Sequence, residues 1–392
     1  MNTYLYIGNR PAKSSKADPR MKYNYVVCRF DSETGEATPV QELEFQEKFS
    51  AGGVYIDEKR AVLYLTNEVS DFPGLRGGGG GCIYAYRIDR ESGKLSFMNM
   101  QPSYASKPNY IAVDDGGKYM LVSNHGERAG INCTERDAFG RFHVRTVYDE
   151  SNVVLFPLAE DGRIGEALDI YPLSGQGPKH FQKSAHAHCV VKAPGRNLYT
   201  VCDKGGDQIF VFRIEENEGK LKLCDAPLHR MPGSAPRYGA YHPSQPFLYV
   251  NKESAQRLSV FRYDEEGKLH EVQVLDGTIP AGFPLPKEDD LYQSDLCMDP
   301  QGRCLYLLIR TADIINVYDI DGESGRLTLK QTLPANGSPR MCAISPDGRY
   351  LAVSYPDGGK IDLFAIRADG SIGEVLRVIE QPSPAALNFC VL

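Results

Sequence analysis

The chain contains no tryptophan, which counts against the WD-type and kelch-type repeats that usually carry it. No apolar run reaches the roughly 18 residues of a membrane-spanning helix, so no membrane partner is expected. The opening MNTYLYIGNR has neither the apolar core nor the small-residue cleavage site of a secretory leader. None of the ten cysteines belongs to a C-x-x-C pair, the spacing common to structural zinc and dithiol redox sites. Together these absences predict a cytoplasmic protein with reduced thiols. Positive charge is in deficit: 44 Lys and Arg against 51 Asp and Glu leave a formal charge of -7. That argues against a nucleic-acid surface and requires any anionic ligand to find a local cationic pocket. The chain has no G-x-S-x-G elbow, and its glycine run at 74–81 lacks the Lys-Ser/Thr of a phosphate-binding loop. No long segment has a 3.6-residue apolar period, so helix is expected to be scarce.

What the chain has is one turn, seven times over. Alternating strands such as YVVCRF, IFVFRI and INVYDI each run into an acidic turn whose glycine falls at 35, 93, 162, 219, 267, 325 and 370. A two-period strand followed by an Asp/Gly turn is a hairpin, with glycine supplying the positive φ. A second pair of apolar strands precedes each hairpin, which is the order of a four-stranded propeller blade. Seven copies predict an all-β, seven-bladed β-propeller of four-stranded antiparallel blades, a single domain over 1–392. Repeat folds grow by adding units, so 392 residues do not force a second domain. The N-terminus begins with the second strand of a blade, and SPAALNFCVL at the other end reads as a first strand with no blade after it. The ring is therefore expected to close by pairing the two. Two insertions break the rhythm, 74–81 in blade two as a mobile loop and 125–150 in blade three as a lid or interface.

The repeat also serves as a ruler for positions that face the axis. Six residues before the turn anchor of successive blades stand Gly52, Asn109, His188, Arg237, Ser294 and Arg340. Four residues beyond the aromatic or apolar residue of each second strand stand Arg10, Glu68, His125, Asp203, Glu253, Arg310 and Pro356. Equivalent positions of a propeller form rings around its channel, so two charged rings are expected near one mouth. Charges of both signs converging on a funnel are a ligand-site signature. HAHC at 186–189 brings no second cluster of ligands with metal spacing, so no metal is expected.

These residues resemble the seven-bladed propeller lactonases, which include the propeller-type 6-phosphogluconolactonases and the fungal carboxy-cis,cis-muconate lactonizing enzyme. The similarity spans essentially the whole chain and is strongest in HAHCVV with LYTVCDKGGDQIFVF, in GSAPRYGAYHPSQPFLYVNKE and in GSPRMCAISPDGRYLAVS. The family's proposed site has a His in an HAH element, an Arg in P-R-H, a Glu in N-E and an Arg in N-R-G. By motif these fall on His188 or His186, Arg237, Glu253 and Arg310. The neighbours differ here: Pro236-Arg237-Tyr238, Asn251-Lys252-Glu253 and Ile309-Arg310-Thr311.

The resemblance implies hydrolysis of a sugar lactone, 6-phosphogluconolactone or a related aldonolactone, without cofactor or metal. In that scheme Glu253 is the general base and His188 the acid that protonates the departing oxygen. Arg237 and Arg310 hold the oxyanion or the substrate's anionic group. Arg340 is a further anion clamp, with His186, Asp203, Asn109 and Arg10 completing substrate binding. Two other readings use the same ring: a muconate-type lactonizing reaction, and a non-catalytic propeller that binds a sugar acid or a protein.

Overall fold

The structure is a computed structural model that describes residues 2–10, 24–45, 49–72, 80–229, 231–285 and 293–392. Each predicted hairpin forms the outer half of an antiparallel sheet, and seven such sheets are four strands wide, blade four carrying a fifth short strand at Leu228–His229. The innermost strands are Pro384–Val391, Ala51–Asp57, Pro108–Val113, Ala187–Lys192, Pro236–Tyr241, Gln293–Met298 and Met341–Ile344. Each touches the next, and the last returns to the first, so they line a closed axial channel. The expected closure is present: Pro384–Val391 pairs antiparallel with Thr3–Asn9, making blade one from both ends of the chain. Leu5 and Ile7 of blade one then pack with Ala352, Ile361 and Leu363 of blade seven in one apolar cluster. Among the described residues there is no helix.

The repeated turn has a structural reason beyond reversing the chain. All seven predicted turn glycines have φ between +61° and +89°, where a side chain is strained. In four blades a tyrosine of the second strand donates its hydroxyl to the turn glycine's carbonyl in the next blade. The pairs are Tyr6 to Gly93 at 2.9 Å, Tyr64 to Gly162 at 2.8 Å, Tyr249 to Gly325 at 3.0 Å and Tyr306 to Gly370 at 2.8 Å. The glycine is needed twice over at Gly93, because a Cβ there would lie 2.3 Å from the Tyr4 ring. Tyrosine is thus the residue that locks one blade to the next: a large apolar ring buried between sheets with a polar tip that finds a partner.

The blade-three insertion forms a hairpin, Ile131–Arg136 with Phe142–Val147, that pairs only with itself and leaves Phe142 68% exposed. In blade two, residues 73–79 lie outside the described residues, and with them nearly all of the loop expected at 74–81.

Candidate active site

One irregularity of the inner strands builds the upper ring. In blades one to six the ladder between the first and second strands slips, inserting extra residues at Ala385, Gly52-Gly53, Asn109, His188, Arg237-Tyr238 and Ser294-Asp295. A β-bulge of this kind turns a side chain out of the pleat. Here it does so at the positions the ruler picked for Gly52, Asn109, His188, Arg237 and Ser294. Blade seven has no such slip; Arg340 stands just before its inner strand and donates its backbone N–H to the Ser354 carbonyl at 2.9 Å.

The second ring needs one correction. In blades one, two, three and five the residue after the second strand donates its N–H to the carbonyl two residues before the bulge: Arg10 to Ser383, Glu68 to Ser50, His125 to Lys107, Glu253 to Ala235. In blade four the residue that makes this bond, to the His186 carbonyl at 3.1 Å, is Lys204 and not Asp203. The reason is a shift of the aromatic used for counting. Tyr199 pairs with Lys192 and so corresponds to Leu248, which pairs with Tyr241; the tyrosine of blade five is the next residue. Asp203 is the last strand residue, fully buried, and its Oδ1 accepts the N–H groups of His186, Gly205 and Gly206 at 2.6, 2.9 and 3.1 Å. It shapes the turn that presents Lys204.

Glu253 is the hub of the site. Its carboxylate is 2.8 Å from Lys204 Nζ, accepts a hydrogen bond from Arg310, and lies 3.1 Å from Arg237 Nε without hydrogen-bond alignment. Glu253, Lys204 and Arg237 are all nearly fully buried, while Arg310 keeps some exposure. Burial alone would push the Glu253 pKa up, but Lys204, Arg310 and Arg237 outweigh it and hold the group well below the usual carboxylate range. With three cations around one anion, the ammonium yields first: burial draws Lys204 down to about 7 against the pull of Glu253. Arg237 is fixed further by a hydrogen bond to the Ser294 carbonyl and by the Tyr238 ring, 4.3 Å from its guanidinium carbon.

The channel holds a cavity of about 280 Å3, walled among others by Glu68, Asn109, His188, Tyr238, Asp295 and Arg340. That is close to the lower end, about 300 Å3, of sites that enclose small molecules. The two candidate histidines separate here. His188 lines the cavity, its ring edge-on to Tyr238 at 5.0 Å, and its Nδ1 has no hydrogen-bond partner. His186 is 1% exposed, stacks on His125 at 4.5 Å and bonds through Nδ1 to the His125 carbonyl at 2.9 Å. Burial lowers both, His186 to about 4 and His188 well below the usual imidazole range with Arg237 and Lys204 adding to the effect, so both are neutral at pH 7.

The remaining expected residues fall around the same mouth. Asn109 donates to the Ala187 carbonyl at 3.1 Å and accepts from Ser123 at 2.9 Å, which fixes its amide at the cavity wall. Arg340 has a buried Nε with no hydrogen-bond partner; burial and then Arg10 and Arg237 lower its pKa to about 9, which leaves it charged at pH 7. Three contributors escaped the ruler. Lys204 was hidden by the one-residue shift. Asp295 stands one place after Ser294, inside the same bulge. Arg128, from the blade-three insertion, lies 5.8 Å from the Phe181 ring and adds positive field at Lys204, His186 and Arg310. Among the described residues no cluster of three or more His, Cys, Asp or Glu has metal-binding geometry.

The profile of a family described as "Lactonase, 7-bladed beta-propeller" matches residues 23–391. The 6-phosphogluconolactonase of Bacillus subtilis (strain 168) is 26% identical over 315 residues, covering 79% of this chain and 81% of its own. The 6-phosphogluconolactonase of Formosa agariphila is 26% identical over 312 residues, 77% of this chain and 78% of its own. Among solved structures, the periplasmic gluconolactonase of Pseudomonas aeruginosa superposes with a TM-score of 0.81 at 25% identity, over 99% of each chain.

Proposed function

The chain belongs to the seven-bladed β-propeller lactonase family, and from that premise we propose that it hydrolyses a sugar lactone, 6-phosphogluconolactone before unphosphorylated aldonolactones. The observation that carries this reading is the gathering of Lys204, Arg237 and Arg310 around Glu253, beside an axial cavity walled in part by Arg340, in a chain whose formal charge is -7. So concentrated a cationic field serves an anionic substrate and the oxyanion that forms from it. Arg340, with an unpartnered Nε at the cavity wall, donates to the carbonyl oxygen as it gains charge. Arg310 and Arg10, nearer the rim, take the phosphate, a task suited to fixed guanidinium forks. Asn109 and His188 orient the sugar; His188, neutral at pH 7, offers a hydrogen bond to the ring oxygen more readily than a mobile proton.

Glu253 was expected from the sequence to act as base. Held by three cations, it serves this reaction better as the anchor that fixes Arg237 and Arg310, since a preorganised donor costs no reorganisation in the transition state.

The test is proton release from fresh 6-phosphogluconolactone and gluconolactone in a pH-stat, with the spontaneous rate subtracted. The expected result is acceleration by the wild type, lost in Arg237→Ala, with a lower KM for the phosphorylated lactone. No acceleration of either would refute the reading and point to the muconate-type reaction or to binding alone.

A further inference from the structure

Displacing Glu253 from the role of base leaves the attacking water without one, and the cavity contains another carboxyl. Asp295 lies within the blade-six bulge, one blade on from Arg237, and lines the cavity. Its orientation is fixed at both oxygens. Oδ1 accepts the Leu296 N–H and Oδ2 the Cys342 N–H of blade seven, each at 2.9 Å. A carboxylate oxygen has two lone pairs; Oδ2 also takes the Cys342 thiol at 3.7 Å, so Oδ1 keeps one for a water in the channel. Unlike Glu253, Asp295 has no ion-pair contact with Lys or Arg among the described residues.

On the lactonase reading of this site, we propose that Asp295 is the general base that activates the attacking water and then the acid that returns the proton to the leaving oxygen. The water oxygen bonds to the lactone carbonyl carbon while its proton passes to Asp295. The carbonyl π pair moves onto the oxygen held by Arg340. Collapse of that intermediate restores the carbonyl and breaks the ring C–O bond, and the ring oxygen takes the proton from Asp295. One water is consumed, the open acid is formed, and the carboxylate is regenerated.

The surroundings tune the group for this exchange. Burial raises its pKa to about 6, opposed by the Cys342 backbone hydrogen bond and by Arg237. The other titratable groups around it are Tyr110 and Tyr238, whose rings are 5.5 Å apart, and the Cys342 thiol at 3.7 Å from Oδ2, with Glu68, His188 and Arg340 on the same cavity wall. Burial raises Asp203 to about 6 as well, so loss of the acid limb in the Asp295 variants is what assigns it to Asp295. A base is most effective with a pKa near the working pH, and this carboxyl meets that condition where Glu253 does not.

The experiment is the pH dependence of kcat/KM for 6-phosphogluconolactone, measured on wild type, Asp295→Asn and Asp295→Ser, with Tm recorded for each. Wild type should show an acid limb near pH 6. Both variants should lose that limb and about 100-fold or more in kcat, with KM within about threefold, and Asp295→Glu should restore part of the rate. Asp295→Asn keeps an acceptor for the Cys342 N–H; should it fail to fold, Asp295→Ser, which gives up that bond and the carboxyl together, supplies the same comparison. A variant that melts like wild type and retains the acid limb with kcat within threefold overturns the proposal while leaving the lactonase reading intact. A wild type with no lactonase turnover overturns both.

Discussion

Replacing Glu253 by glutamine separates its two conceivable roles. The substitution keeps the shape and removes the anion that Lys204, Arg237 and Arg310 share. Breaking a buried ion pair by deleting one partner costs on the order of 3–5 kcal/mol, because the surviving charge stays buried without compensation. With an unfolding entropy of about 2.1 cal/mol/K per residue over this chain, that is a fall in Tm of about 4–6 °C. The sign of the pH dependence follows from Lys204. In the wild type it sits at about 7, and without the carboxylate it must fall lower. Between that lower value and about 7 the unfolded variant then binds a proton that the folded variant does not, so the variant's stability rises with pH. The Tm gap to wild type should therefore narrow as pH rises toward about 7, where the wild-type Lys204 titrates. Kinetically, loosening Arg237 and Arg310 should lower kcat/KM by about 10–100-fold, the scale of a misplaced catalytic group, while the acid limb of the profile survives. Calorimetric scans across pH and initial rates on one lactone check both halves. A variant with wild-type Tm and no acid limb would refute the anchor role and return Glu253 to that of base.

Two further predictions concern the fold that holds the site. Removing residues 384–392 deletes the inner strand of blade one and should abolish the cooperative melting of the whole protein in circular dichroism; a truncated chain with wild-type Tm would refute ring closure as a source of stability. Gly93→Ala places a Cβ 2.3 Å from the Tyr4 ring at φ +71°, whereas Gly140→Ala, at φ +78°, meets nothing within 4 Å. Both carry the backbone strain, so the first should be the less stable by about 1–3 kcal/mol of overpacking, and equal denaturant midpoints would contradict the interblade contact.

The parts of this protein that were legible in the sequence are those that repeat. The seven turn glycines are visible because each needs a positive φ at the same point of a hairpin, and most of the upper ring could be placed because the bulge recurs at a fixed distance from the turn. What was hidden depends on one residue of register. Counting from Tyr199 landed on Asp203, since the aromatic of blade four occupies the place of Leu248 and not of Tyr249; only the ladder, with Lys204 bonded to the His186 carbonyl, reveals the offset. A lysine in CDKGG carries no local sign that it ends 2.8 Å from a glutamate in the next blade. Asp295 was hidden for a related reason. The ruler selected one residue per blade, Ser294, whereas the slip in blade six spans Ser294 and Asp295 and puts the second in the channel wall. The same logic explains why HAH could not be resolved: two histidines two apart on a regular strand would share a face, but with His188 as the bulged residue one faces the cavity and the other stacks on His125. Sequence periodicity finds the rings of a propeller, and the bulges, which break that periodicity, decide which side chains in them can meet a substrate.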